Sequence, residues 1–199
     1  MIKSLDKRIS YTQVVDIDAH AGSLARKNGH EYFCGRIEDF RSDQKFDLVL
    51  LLNLIEHVED PHQVLIALQN MLSPNGLIVV KTPNYDSLDA RIFKNRNWGG
   101  YHCPRHWVIF SKESFEKLLQ RTNLSVANFS YTQGAPFWTI STLFWLSKNF
   151  KWIHIGKDRP TYSHPIASVL NAFFAILDFI RVRFYKTSQM FFLLKNSGK

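Results

Sequence analysis

Three short stretches of this chain hold the side chains best suited to chemistry. Asp16 ends the run Val14-Val15-Asp16, and an acid at a strand tip can accept both hydroxyl hydrogens of a ribose. Asn53, Glu56 and His57 follow Phe46–Leu52, the longest apolar run of strand length. A Glu and a His side by side at a strand end suit proton transfer, because imidazole titrates near neutrality. The third stretch is Trp98-Gly99-Gly100-Tyr101, followed by His102, Pro104, Arg105 and His106. Its basic tip suits an acidic or phosphate-bearing ligand. Each stretch also has a plainer reading. Acids at strand ends cap helices, a helix N-terminus favours an acid such as Glu56, and Arg105 can pair with a carboxylate inside the fold.

The elements that must position these residues are legible as an alternation. Tyr11–Asp18 and Glu31–Cys34 read as strands, with a helix over His20–Asn28 between them that stops at Gly29. Phe46–Leu52 and Leu77–Lys81 are continuous apolar runs, as expected of strands buried on both faces. Between them Asp60-Pro61 opens a helix with Val64, Leu65, Leu68 and Leu72 at helical spacing, and Ser73-Pro74-Asn75-Gly76 signals a turn. Strands alternating with helices in this rhythm predict an α/β, doubly wound, mostly parallel sheet. In such sheets ligands meet the carboxyl ends of the strands, where Asp16 and the Asn53–His57 segment stand.

Beyond Pro83 the rhythm breaks. Asp86–Lys94 reads as a short helix, and Lys112–Thr122 as a helix capped by Ser111. Val126–Tyr131 reads as a strand, Ala135–Ile155 and Ile166–Phe184 as helical segments joined by a linker rich in Pro, His and Tyr, and Met190–Lys195 as a closing strand. Phe137-Trp138 and Phe144-Trp145 form one helical stripe, expected to pack as core or lid, as are Phe173, Phe174, Leu177 and Ile180. The expected division is a core over residues 1–125 and a helical lid with the last strand over 126–199.

The succession VVDID, FDLVLLLNLIEHVEDP and LSPNGLIVVKTPN resembles the class I S-adenosylmethionine-dependent methyltransferases, particularly the small-molecule and O-methyltransferases that carry an EHV-D-P segment. The resemblance covers roughly Tyr11 to Thr122, and MFFLLK resembles the family's last antiparallel strand. It implies a Rossmann-like methyltransferase fold with S-adenosylmethionine as cofactor. Asp16 would then bind the ribose hydroxyls, Ile17 would pack on the adenine, and Ile37 and Glu38 would sit at the adenine edge. Asn53 would lie beside the methionine part, and Glu56 and His57 would flank the transfer pocket, with His57 or His106 as general base. The ubiquinone-synthesis O-methyltransferases and the small-RNA 2′-O-methyltransferases resemble the chain around an E-x-x-E-H segment, which here reads Asn53-x-x-Glu56-His57 with His106 as the later His. A divalent cation would sit there in such enzymes. The amide of Asn53 weakens a site for a hard cation, so no metal ligand is assigned from the sequence.

One departure from the family stands out. Relatives begin with a strand and a G-x-G-x-G turn whose backbone approaches the cofactor. The segment MIKSLDKRISYTQVV holds no glycine. The expectation is a chain truncated at its start, without the first strand, which is central in the family's sheet. Cofactor affinity would then be weak unless another chain supplies the piece, as a homo- or hetero-oligomer would. The expected function is methyl transfer, at oxygen by the EHV resemblance, to a small-molecule or lipid-linked acceptor. The alternative is a non-catalytic binding or scaffold module that partners a complete enzyme, so enzyme status stays open at this point.

Composition narrows the setting. A chain of 199 residues buries one good core, and 45% hydrophobic with 21% charged residues is ordinary for a globular protein. Met1–Ser10 has no apolar leader, and Cys34 and Cys103 give neither a disulfide framework nor a paired metal spacing, which suggests a reducing, cytoplasmic compartment. The net charge of +8 is lopsided. Residues 1–99 carry 12 Lys and Arg against 13 Asp and Glu, whereas residues 100–199 carry 13 against 4. The basic residues are scattered and no recognition motif accompanies them, so nucleic acid is not favoured. Ala135–Leu146 is shorter than the roughly 20 residues a spanning helix needs, and Pro165–Phe184 contains Asn171, Asp178, Arg181 and Arg183. A helix over 165–186 that lies on the inner membrane surface, docked by Arg181, Arg183 and Lys186, is the expected peripheral contact.

Overall fold

The computed structural model describes residue 9 and residues 11–95, 97–102, 104–150 and 165–198. Most of Met1–Ser10, Cys103, the end of the helical segment expected to reach Ile155, and the linker after it lie outside the described residues.

The first part of the chain is built as expected, from strand–helix–strand units. β1 (Gln13–Asp16) and β2 (Glu31–Cys34) pair in parallel around α1 (Ala19–Lys27). Asp18 caps α1 by accepting the His20 backbone N–H at 2.9 Å, and the chain leaves the helix through Gly29 at φ +81°, a left-handed conformation that suits glycine. β3 (Phe46–Leu52), α2 (Pro61–Met71) and β4 (Leu72–Pro83) form the second unit, with β3 and β4 parallel. Asp60 caps α2 and Pro61 starts it, where a missing backbone N–H costs nothing.

The turn expected at Ser73–Gly76 is a bulge within β4. Register passes from Phe46↔Leu72 directly to Leu48↔Leu77, so the intervening residues loop out of the ladder. Gly76 permits this, since a Cβ there would lie 2.7 Å from the Phe46 carbonyl oxygen.

Then follow α3 (Leu88–Ile92), α4 (Lys112–Leu119), β5 (Leu124–Thr132), α5 (Ala135–Asn149), α6 (Pro165–Arg181) and β6 (Gln189–Asn196). α3 is shorter than the helix expected over Asp86–Lys94, because Ser87 caps it by accepting the Ala90 N–H. Ser111 caps α4 in a reciprocal box with Ser114. β6 inserts antiparallel between β4 and β5, giving the sheet order β3-β4-β6-β5. β5 runs across the expected division between residues 125 and 126, and β6 closes the sheet begun by β3 and β4, so both parts share one sheet.

α2 and α4 cover one face of this sheet. Val64, Leu65 and Leu68 of α2 and Phe115 and Leu119 of α4 pack with Leu51, Ile78, Val80, Phe192 and Leu194 in a single core. The alternate residues of β3 point the other way, and Leu48, Leu50 and Leu52 are 54%, 43% and 39% exposed. Among the described residues no ladder joins β1 to β3, so both strands keep an unpaired edge. Aromatic contacts hold the small sheet to the large one: Tyr11 lies 6.0 Å from Phe46, and Phe40 lies 5.3 Å from Phe33 and 6.4 Å from Phe46. α5 and α6 pack on each other through Trp138 and Phe174, whose rings stack at 5.1 Å.

Candidate active site

The segment after β3 begins with Asn53 at φ 54°, a left-handed turn that asparagine tolerates. Its N–H donates to the Lys81 carbonyl at 2.8 Å, and its Oδ1 accepts from Gln189 Nε2 at 3.2 Å. The chain then makes a short 3-10 turn, Ile55–His57. Ile55 is fully buried in the core, and that anchor carries Glu56 inward as well, to 1% exposure. Glu56 Oε2 accepts from Thr82 Oγ1 at 3.1 Å, while Oε1 is buried without a hydrogen-bond partner. Burial pushes the Glu56 carboxyl above the ordinary glutamate range, opposed by hydrogen bonds from backbone and Thr82 and by the nearby His57.

The loop from Trp98 to Trp107 is folded back onto this turn. The N–H groups of Trp107 and Val108 both donate to the Glu56 carbonyl, at 2.9 and 3.3 Å. Trp98 is buried and donates Nε1–H to Asp89 Oδ2 at 2.7 Å, and Ser188 Oγ donates to Asp89 Oδ1 at 2.8 Å. Gly99 fits against α5, where a Cβ would lie 2.9 Å from both Ile140 Cβ and the Phe137 carbonyl oxygen.

This packing brings His106 to His57, with ring centroids 4.6 Å apart, and His102 to within 5.2 Å of His106. His57 Nδ1 lies 3.0 Å from the Arg105 carbonyl oxygen, and His106 Nδ1 lies 2.7 Å from that of Gly100. A carbonyl only accepts, so both Nδ1 atoms carry a hydrogen, and Nε2 is the nitrogen that holds the lone pair in the neutral form of each ring. Burial drives His106 down to about 4, partly opposed by the Gly100 carbonyl, which keeps this imidazole neutral at pH 7. One oxygen of Glu56 and one nitrogen each of His57 and His106 all lie within 4.8 Å of one another. Two lone-pair nitrogens and a buried carboxylate at that spacing match the donor set of a divalent transition metal, and each imidazole is oriented by a backbone carbonyl on its other nitrogen.

The other expected residues stand at the tip of β1 and after β2. Asp16 is exposed, and one of its oxygens accepts the Asp18 N–H at 2.9 Å. Beside it Ile17 is 75% exposed, a large apolar surface that a planar base would shield. Ile37 packs against the core and Glu38 is half-buried. Arg36 reaches Glu59 at 3.8 Å, a polar link between this region and the turn that holds Glu56. The exposed Arg105 has no carboxylate within ion-pair distance among the described residues, and His57 bonds to the backbone of Arg105, not to Glu56. Thr82 and Gln189 were not expected at the site. A signal for Thr82 exists in the Thr-Pro-Asn that ends β4, at the same sheet end as Asn53.

Comparison with known proteins identifies the class. The methyltransferase domain family matches residues 4–128, and the chain belongs to that family. Its type is the class I, S-adenosylmethionine-dependent one. Among curated relatives, a ubiquinone biosynthesis O-methyltransferase of Rickettsia felis is 36% identical over 66 residues, 32% of this chain and 27% of the relative. One from Nitrobacter winogradskyi is 28% identical over 157 residues, 65% of this chain and 56% of the relative. The chain thus spans between about a quarter and just over half the length of these relatives. Two solved structures share the fold. A Clostridium acetobutylicum S-adenosylmethionine-dependent methyltransferase superposes with a TM-score of 0.55 at 12% identity, covering 95% of this chain and 76% of that one. The plantazolicin methyltransferase BamL superposes with a TM-score of 0.58 at 16% identity, covering 98% and 72%.

Proposed function

We propose that this chain carries the acceptor side, and the ribose-binding tip, of an enzyme that moves a methyl group from S-adenosylmethionine to a hydroxyl oxygen of a small-molecule or lipid-linked acceptor. The observation that carries the reading is the convergence of Glu56, His57 and His106 at the carboxyl end of β3, with both Nε2 lone pairs free of the backbone. The names of the relatives, O-methyltransferases of ubiquinone biosynthesis, favour oxygen as the atom methylated.

S-adenosylmethionine supplies an electrophilic methyl on a sulfonium centre. Asp16 holds the ribose hydroxyls with the oxygen not engaged by Asp18, Ile17 covers the adenine, and Ile37 and Glu38 border its edge. Asn53, fixed by Gln189 and the Lys81 carbonyl, lines the methionine end. His106 is neutral and takes the acceptor's hydroxyl proton at Nε2, with His57 in the same role for an acceptor that sits nearer the β3 turn. As oxygen bonds to the methyl carbon, the carbon–sulfur bond breaks and S-adenosylhomocysteine leaves. Were Glu56, His57 and His106 instead to hold a divalent cation, the Nε2 lone pairs would be its ligands and not bases, and the cation would lower the pKa of that hydroxyl so that water takes the proton; the unpartnered Glu56 Oε1 fits such a ligand role. The helices after residue 125, α5 and α6, serve as the lid over the acceptor.

The test is transfer of labelled methyl from S-adenosylmethionine to a panel of phenols, catechols and amines, with and without Mn²⁺. Label should enter hydroxylated acceptors, and His106→Asn and Glu56→Gln should each slow transfer roughly 10²-fold or more. Label entering only amines, or turnover indifferent to both variants, would contradict the reading. The unpaired edges of β1 and β3 favour a second reading, a binding module completed by another chain. A folded chain that never binds cofactor alone, and does so when mixed with a complete methyltransferase, would support it.

A further inference from the structure

α6 presents an outer face that nothing among the described residues covers. Val169, Phe173, Ile176, Phe179, Ile180 and Phe184 are each 59–77% exposed, and their spacing places them along one side of the helix. Between Val169 and Ile180 that side carries no charge, since Asn171 is partly covered and Asp178 is fully buried, where it accepts the Gly134 N–H. Large apolar side chains over the twelve residues from Val169 to Ile180, unbroken by charge on that side, exceed the scattered exposure normal for a protein surface. The helix does not cross a bilayer: no helix among the described residues is long and apolar enough.

Charge gathers at one end of this face. Arg183 is exposed just past the helix, and a cavity of about 400 Å³ beside it is lined by Asp86, Leu88, Arg91, Arg181, Tyr185 and Lys186. The acids nearby are already engaged: Asp86 pairs with Arg91 and Lys186, Glu113 with Lys186 at 3.5 Å, and Asp178 with Arg181 at 3.3 Å. A second copy of the chain docked through this same face would bring one basic end against the other. A bilayer of anionic phospholipid offers apolar depth for the stripe and phosphate groups for the cations at once.

We infer that α6 docks the protein in the plane of an anionic phospholipid surface, with the stripe from Val169 to Phe184 buried among acyl chains and the exposed Arg183 at the phosphates. This surface is separate from the Glu56–His106 site, and its test needs no cofactor and no acceptor. Full-length chain is floated with vesicles of phosphatidylcholine alone, or of equal phosphatidylcholine and phosphatidylglycerol. Expected are flotation with the anionic vesicles only and partial release by salt. The bound fraction should fall roughly tenfold or more in Phe173→Asp and several-fold in Arg183→Glu. Circular dichroism and thermal melting of the variants separate lost docking from lost folding. No flotation with anionic vesicles overturns the inference. So does flotation indifferent to Phe173→Asp, or a dimer in light scattering that Phe173→Asp dissolves while lipid binding is nil.

Discussion

Two imidazoles and a carboxylate meet beneath the Trp98–Trp107 loop, and how each is held decides what it can do. Backbone carbonyls hold the Nδ1–H of His57 and His106, so in each neutral ring Nε2 is the nitrogen left to accept a proton or bind a cation. His106 has a folded pKa of about 4 against an ordinary 6.5. Between those values the unfolded chain binds the extra proton more readily, so stability is full above about pH 6.5 and falls as the pH drops toward 4. Thermal melts of metal-free protein across that window should show the loss, and His106→Asn should flatten it. An unchanged slope in the variant would mean that other groups carry the acid sensitivity. At this scale the sequence was informative where a chemical group follows an apolar run, as Glu56 and His57 do. It was silent on Gln189 and gave Thr82 only a place at the end of an apolar run, because their site contacts depend on how strands far apart in the chain align. The pairing of His57 with the Arg105 backbone was equally invisible, since it depends on how the loop folds back.

Among the elements, the loop that supplies His106 is fixed by a buried polar bridge, Trp98–Asp89–Ser188, that ties α3, the loop and the start of β6 together. Asp89→Ala strands two buried donors, and each is expected to cost about 1–3 kcal/mol. Chemical denaturation measures the sum, and a loss well under 1 kcal/mol would show that water or a relaxed loop replaces the bridge. In the core, Phe192→Ala removes a fully buried ring packed 4.5 Å from Phe115 and 4.8 Å from Phe129. A loss of about 3–5 kcal/mol is expected. Helix starts were legible because Asp60-Pro61 and Ser111 are capping residues with local hydrogen-bonding roles. The bulge in β4 was not, because Ser-Pro-Asn-Gly signals a change of direction but not whether the ladder resumes after it. Periodicity also placed Phe173, Phe174, Leu177 and Ile180 together, but only the packing against α5 shows that Phe174 faces inward while Phe173 and Ile180 face out.

Over the whole molecule, the sheet is in two pieces. Both β1 and β3 have an unpaired edge among the described residues. The small sheet is tied to the large one by rings and side chains, not by a ladder, so it should open at lower free energy. Hydrogen exchange is expected to be faster at the amides of β1 and β2 than at Val80 and Phe192, and equal protection would contradict that picture. The parallel units and the closing antiparallel strand were legible, since each rests on local apolar runs. Sequence could not show that the open edge coincides with exposed Leu48, Leu50 and Leu52, because exposure depends on which elements cover a face. The central claim is that the tip of β1 is a cofactor site, and calorimetric titration with S-adenosylmethionine and S-adenosylhomocysteine tests it most directly. The account predicts weak but saturable binding of both, abolished by Asp16→Ala in a chain that stays folded. A folded chain that binds neither, or binding that survives Asp16→Ala unchanged, would contradict it.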